Sequence, residues 1–305
     1  MPIPRQTPRS ATRAPRAAVA SPLASPLASR LAIPLITPLA ADLASFAPDA
    51  TRPVRVRVRR LAAATRIAPH RHDWAQVAYS SAGVLRVSAG QHTYIVPPSR
   101  AVWVPPGLEH VVHVVEDAEL RTLYLHLPAG QSGPAALSAA SAAPAAAWLA
   151  CRVLEVSSLL RELVEQLCQQ PAQPERERLF AALVQDELQR ARPVPLGVGL
   201  PADKRLRALC EAVLDDPARH ATLQGWALEA GASVRTVARL FRQELGTGFA
   251  EWRQQVLLAK ALSMAARKRP MAHIAAELGY ASASAFSAMV RRSVGVPPSR
   301  FFAAV

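Results

Sequence analysis

The chain has 305 residues, 50% of them hydrophobic, and a formal net charge of +14, enough length and apolar content for two or three folded domains. The charge is uneven: +8 over residues 1–60, −1 over 61–200 and +7 over 201–305, so the C-terminal third attracts a polyanion while the middle does not. A membrane-spanning helix is excluded, because no run of about 18 apolar residues is free of proline and charge; a disulfide or zinc framework is excluded too, because Cys151, Cys168 and Cys210 lack the spacing, and a reducing cytoplasm fits.

Residues 1–50 are rich in Ala, Pro, Arg and Ser. Leucine recurs at 23, 27, 31, 35, 39 and 43, but Pro22, Pro26, Pro34 and Pro38 interrupt any helix there. This stretch is expected to be disordered. The absence of acids before Asp42 is also the texture of a transit peptide, and a misplaced start codon would leave the same extension. From Thr51 to Arg60 the texture becomes strictly alternating, with Val54, Val56 and Val58 on one face and Arg55, Arg57 and Arg59 on the other. That pattern predicts a half-buried strand whose arginine face is a solvated edge that blocks aggregation.

Residues 65–127 continue as short β runs: Trp74–Ser80, Gly83–Ser88, Thr93–Val96, Ala101–Val104, His110–Val115 and Leu120–Leu127, punctuated by Ala89-Gly90, Pro97-Pro98 and Pro105-Pro106-Gly107. Many short strands in so few residues predict a small barrel or jelly roll over 51–128. Inside it, His70-Arg71-His72 places two imidazoles on one face of a strand, Gln76 follows four residues later, and Pro105-Pro106-Gly107-Leu108-Glu109-His110 adds a third imidazole after a sharp turn. These segments resemble the two motifs of the cupin superfamily, which meet inside a barrel and hold a metal. The resemblance implies His70, His72 and His110 as metal-binding histidines, with Gln76 standing where the family has Glu. Three neutral imidazoles can hold a divalent transition metal with open positions; alternatively the same histidines line a pocket and bond an effector. His92, His113 and His126 are expected to be ordinary strand residues.

Residues 129–147 read as a linker or a loop over the barrel. Trp148–Gln169 and Glu175–Arg190 then read as two amphipathic helices that either pack on the barrel or pair with a second subunit. Arg192–Pro201, rich in Pro and Gly, reads as a connector that closes a 129–200 segment.

Residues 201–305 carry an internal repeat. Trp226-Ala227, Ala230-Gly231, Ser233, Val237, Leu240 and Phe241 recur as Ile274-Ala275, Leu278-Gly279, Ser282, Phe286, Met289 and Val290. Small Ala227 or Ala275 lets two helices cross closely, and Gly231 or Gly279 takes the left-handed conformation that ends the first helix. Ser233 or Ser282 caps the second, whose apolar residues four, seven and eight positions on share one face. The repeat predicts two helix-turn-helix units in an all-α domain. Lys204–Leu214, capped by Asp203, precedes them, and one long helix, Phe249–Arg267, joins them.

The segments Ser233-x-Arg-Thr-x-x-Arg-Leu-Phe-Arg-x-Glu-Leu-Gly-Thr-Gly-Phe249, Trp252-Arg253-Gln254, Ala275-x-x-x-Gly279-Tyr280-x-Ser-x-Ser-Ala-Phe286 and Gly295-Val296-Pro-Pro-Ser-Arg300 resemble the DNA-binding domain of AraC/XylS-type transcription regulators. A cupin-like N-terminal sensor is the usual companion there. The run His70-Arg-His-Asp-Trp-Ala-Gln76 resembles a subgroup that often controls a neighbouring transporter gene. Leu257 and Val290 depart from the Arg and Phe common in the family. The resemblance implies recognition helices starting at Ser233 and Ser282 that enter adjacent major grooves. Arg235, Thr236, Ala238 and Arg239 would face bases from the first, and Ala283, Ser284, Ser287 and Ala288 from the second; Arg291 and Arg292 would meet phosphate or solvent. Arginine suits guanine through a paired hydrogen bond, and small residues suit thymine methyls.

The expected architecture is therefore α+β and multidomain: a cupin-like β-barrel, then the paired helix-turn-helix domain. The expected partners are double-stranded DNA and a small-molecule effector, with RNA polymerase and a second copy of the chain as further candidates and no membrane. The competing class is a metal-dependent cupin enzyme with a helical appendage, which leaves the repeat unexplained and lacks a paired acid and base. An architectural nucleic-acid binder leaves the barrel unexplained.

Overall fold

The computed structural model describes residues 36–37, 43–134, 144–169 and 173–302. The leucine repeat from 23 to 39 and residues 135–143 of the 129–147 linker lie outside them. Two short elements fall inside the stretch expected to be disordered: β1 (Ile36–Thr37), parallel to β3 (Arg66–His70), and a 3₁₀ turn at Ala44–Phe46. Leu43 is buried beside that turn.

The strands β2 (Val54–Leu61), β4 (Ala75–Ala82), β5 (Leu85–Ala89), β6 (His92–Val96), β7 (Arg100–Val104), β8 (His110–Val114) and β9 (Ala118–Leu125) follow the predicted runs closely. They do not end at residue 128. β10 (Arg152–Glu155) pairs with β7, β11 (Pro193–Val194) with β10, and β12 (Gly197–Gly199) with β6. The two sheets run β1-β3-β8-β5-β6-β12 and β11-β10-β7-β4-β9-β2. The predicted helix from Trp148 therefore begins only at Ser158, because pairing with β7 holds 152–155 extended, and the predicted connector 192–201 contributes a strand to each sheet.

Alternation sets the layers. Gln76 and Ala78 on β4, Val102 and Val104 on β7, and Leu120 and Tyr124 on β9 face the barrel interior, where all but Gln76 pack with Leu85, Val87 and Val112 of the other sheet. Val77, Tyr79, Trp103, Leu123 and Leu125 face outward under α1 (Ser158–Gln169) and α2 (Pro174–Arg190). The central strands are buried on both faces, which is why they read as apolar runs.

This layering corrects the reading of β2. Val54 belongs to the helix-covered outer layer and Val58 is exposed. Arg55 pairs with Tyr124, Arg57 with Thr122 and Arg59 with Leu120, all on the interior face. The arginines are half-buried. Those of 55 and 57 stack on Phe46 at 5.9 and 5.0 Å. The arginine face lines the barrel and is no solvated edge. Alternation revealed two faces, and only the helices α1 and α2 decide which is outside.

The C-terminal domain comprises α3 (Lys204–Asp215), α4 (Leu223–Glu229), α5 (Val234–Leu245), α6 (Phe249–Ala266), α7 (Met271–Glu277), α8 (Ala283–Val294) and α9 (Pro298–Phe301). α6 is buried nearly all round, Leu257 included, because it packs against both helix-turn-helix units and against the outer side of β6 and β12. Trp252 donates to the Gly199 carbonyl at 2.7 Å. Arg86 reaches Asp215 at 3.1 Å, and Glu116 takes Ser263 and Arg267. Arg100 is fully buried and donates to the Phe301 carbonyl at 3.1 Å. The reading domain thus rests directly on the sensor.

Candidate nucleic-acid interface and ligand site

The two helix-turn-helix units are alike to the level of single hydrogen bonds. Gly231 and Gly279 have φ of 63° and 79°, and the next residue's N–H returns to the carbonyl of Ala227 or Ala275 at 2.9 Å in each unit. Ser233 and Ser282 each accept the N–H three residues on, from Thr236 and Ala285, at 3.1 Å. Replacing Ser233 or Ser282 with alanine is expected to cost about 1 kcal/mol in urea denaturation, and aspartate at the same place should restore it. A loss below about 0.3 kcal/mol would show that the tertiary contacts alone hold the helix start.

Behind the caps, Val237 and Phe241 of α5, and Phe286, Met289 and Val290 of α8, are buried against α6 and the first helices. That burial fixes which side of each reading helix faces away. Arg235, Thr236 and Arg239 are exposed and Ala238 is half-buried. Thr236 shares a hydrogen bond with Ser233, and Arg239 donates to Gln243 one turn on. On α8, Ser284 and Ala288 are exposed and Ala283 and Ser287 half-buried. These four line a shallow depression with Arg291 and Arg292. Exposed Ala285 was absent from the predicted set, because the spacing rule assigned it no face.

In the barrel, the predicted histidines converge. His70 at the end of β3 pairs with His110 at the start of β8, and a bulge after Ile67 turns both Ile67 and His70 inward. His72 lies beyond the strand, so alternation does not place it as predicted. The Gly107 N–H on the His72 carbonyl at 2.8 Å ties the two motif segments together. Ring centroids stand 4.2 Å apart for His70–His110, 5.2 Å for His72–His110 and 6.1 Å for His70–His72. One nitrogen from each lies within 4.8 Å of the others'.

Each Nδ1 faces a main-chain carbonyl: Ala68 at 2.8 Å, Trp74 at 2.7 Å and Leu108 at 3.0 Å. Carbonyls only accept, so each Nδ1 carries the proton and each neutral ring keeps a bare Nε2. The Nε2 of His110 is buried without a hydrogen-bond partner among the described residues. Burial pushes all three imidazoles below their ordinary range; His110 falls to about 3, with the neighbouring His70 as the second cause. Carbonyl-oriented imidazoles with converging bare nitrogens are the arrangement a transition metal requires, so the donor set fits one.

Gln76, buried on the interior face of β4, puts Oε1 3.0 Å from His72 Nε2. Trp74 stacks on His72 at 5.2 Å, and Tyr124 lies edge-on to both. The sequence reading missed Trp74, Tyr124 and Arg57 as lining residues; the Trp two residues after His72 was the available signal for the first. A separate cleft between sheet and reading domain is lined by Arg86, Glu116, Asp215, Val256, Lys260 and Ser263, among others.

Comparison with known proteins agrees with this architecture. Residues 226–304 match the helix-turn-helix domain family, and residues 53–188 match the AraC-like ligand binding domain family. The HTH-type transcriptional regulator NimR of Escherichia coli is 30% identical over 238 residues, 77% of this chain and 81% of that protein. RipA of Corynebacterium glutamicum, also an HTH-type transcriptional regulator, is 32% identical over 33% of this chain and 31% of its own. A crystal structure of ToxT from Vibrio cholerae O395 aligns over 83% of this chain and 99% of that one, with a TM-score of 0.34 at 11% identity. These relatives are regulators rather than enzymes, and no helix among the described residues is long and apolar enough to cross a membrane. With the reading domain and the ligand-binding domain both matched and a relative of 30% identity covered over 81% of its length, the chain belongs to the AraC family of DNA-binding transcription regulators.

Proposed function

We propose that the protein controls a promoter beside its own gene, such as that of a neighbouring transporter, in response to a small ligand held in the barrel. The carrying observation is the duplicated, capped helix-turn-helix geometry, with Arg235 and Arg239 free of the packed face. Arg235, Thr236, Ala238 and Arg239 read bases from one major groove, and Ala283, Ser284, Ser287 and Ala288 from the next. Phosphate contacts come from Arg291, Arg292 and from Lys268 and Arg269, which follow the end of α6. His70, His72, Gln76 and His110 form the effector site, and a divalent transition metal held by the three histidines would act there as a Lewis-acidic anchor.

The ligand shifts the balance between arrangements of sensor and reading domain, changing DNA affinity or contact with RNA polymerase. Support for a homodimer comes from Leu159, Leu179 and Leu183, which stay exposed on α1 and α2 although both helices pack on the sheet. The test is fluorescence anisotropy on the adjacent intergenic DNA against scrambled DNA across a salt series. Preference for the native DNA is expected to persist as salt rises. Equal binding that collapses with salt would reduce the interaction to electrostatic attachment and overturn the proposal.

A further inference from the structure

We infer that the outer face of the sheet β1-β3-β8-β5-β6-β12 carries a site for a small phosphate-bearing ligand, formed by Arg66, His113 and Arg86 on three neighbouring strands. The barrel interior lies on the other face of the same strands, so this is a second site beyond the effector reading above. Three observations carry it.

The first is register. Arg66 on β3 stands opposite His113 on β8, which stands opposite Arg86 on β5. Alternation turns their neighbours Ile67, Val112, Leu85 and Val87 into the barrel, so the three basic side chains emerge together on the outside. Side chains directly opposite across a sheet start about 5 Å apart, and like charges so placed repel. The two long guanidinium arms can close over the short imidazole between them.

The second is charge. Arg66 forms no hydrogen bond or ion pair among the described residues, and its Nε is buried without an acceptor. Burial, then the charges of Arg66 and Arg86, hold the His113 imidazole below its ordinary range, and both charges acting on it are positive. Arg86 meets Asp215 of α3 at 3.1 Å, but that carboxylate is 69% exposed, so the pair is weak and can yield. Glu116, in the cleft alongside, is taken by Ser263 and Arg267. The row lacks an anion of its own.

The third is the donor set. Two forked guanidiniums and one imidazole approach from three strands, which matches the three terminal oxygens of a phosphate monoester; a carboxylate has only two. Ser88, two residues beyond Arg86 on the same outer face, shares a hydrogen bond at 2.9 Å with the fully buried Thr93. Leaving a buried hydroxyl hydrogen unpaired is costly, so Thr93 donates and the Ser88 O–H remains available as a further donor. Arg86 then serves both the ligand and Asp215, so ligand binding draws on a contact between sensor and reading domain.

The test uses the full chain with isotope-labelled histidine, and inorganic phosphate replacing chloride at constant ionic strength. The His113 ring signal, assigned by its loss in His113→Asn, is expected to shift saturably with phosphate and to titrate at higher pH once phosphate is bound. Acetate should bind about tenfold more weakly. Arg66→Gln should weaken phosphate binding about tenfold, and Arg66→Lys, which keeps the charge but loses the fork, by less. The lysine variant carries the comparison if glutamine changes the circular dichroism. Asp215→Asn should bind phosphate about threefold more tightly, because Arg86 is released. A shift that never saturates, an equal response to acetate, or undiminished binding in both Arg66 variants would overturn the site. Displacement of phosphate by scrambled duplex DNA would assign the face to the DNA backbone and overturn the small ligand. Unchanged affinity in Asp215→Asn would overturn the coupling to the reading domain.

Discussion

Replacing Arg235 and Arg239 together with alanine is expected to weaken binding to the native DNA site by about 3 kcal/mol, on the order of a hundredfold, and to leave binding to scrambled DNA nearly unchanged. Each guanidinium on the outer face of α5 can make a paired hydrogen bond to a guanine edge, worth roughly 1–3 kcal/mol of discrimination. The estimate stays below the upper sum because Arg239 must first give up its bond to Gln243. Both side chains are exposed, so folding stability should move by no more than about 0.5 kcal/mol. Anisotropy on both DNAs, with a urea curve for each protein, separates the two quantities. If native and scrambled DNA lose affinity equally, the two arginines contact phosphate and α5 does not read sequence through them.

The second large effect is expected at Arg100. Its side chain is wholly buried, donates to the Phe301 carbonyl at 3.1 Å, stands 3.7 Å from Glu155 and lies 5.7 Å over the Phe301 ring. Arg100→Ala would leave the carbonyl without that donor and open a cavity under α9, at a cost of about 2–4 kcal/mol. Arg100→Lys keeps the charge but loses the planar fork and should recover only part of this. Hydrogen exchange should show α9 released before the sheets. A loss under about 0.5 kcal/mol in the alanine variant would mean that α9 is held by its apolar contacts alone.

Much of this was legible beforehand because the repeat encodes local geometry. A glycine at a left-handed turn and a serine three residues ahead of a helical N–H are short-range requirements, and Gly231, Gly279, Ser233 and Ser282 meet them as read. The histidines converged for a similar reason, since each sits beside a turn that fixes its direction. Apart from His72, which lies past the end of β3, the errors were non-local. Residues 152–155 have a helical spacing of apolar side chains, yet β7 offers an open edge and wins them. Residues 193–199 look like a connector because a two-residue and a three-residue strand carry almost no periodicity. The arginines of β2 were assigned to the wrong side because the sequence does not state which face α1 and α2 will cover.

The way β11 and β12 finish the two sheets governs how this molecule can be cut and recombined. The sensor's last strands are encoded after its helices, so a fragment ending near residue 128 would lose the partners of β7 and β6 and expose two raw sheet edges to self-association. A fusion joined between β12 and α3 would keep both sheets whole but sever Gly199 from Trp252 unless the incoming half brings an equivalent indole. Exchange of reading heads between relatives is therefore constrained to a window of a few residues. What crosses that window is a packed contact and not a bare tether, so a chimera has to rebuild that contact to seat its new reading head on the parent sensor.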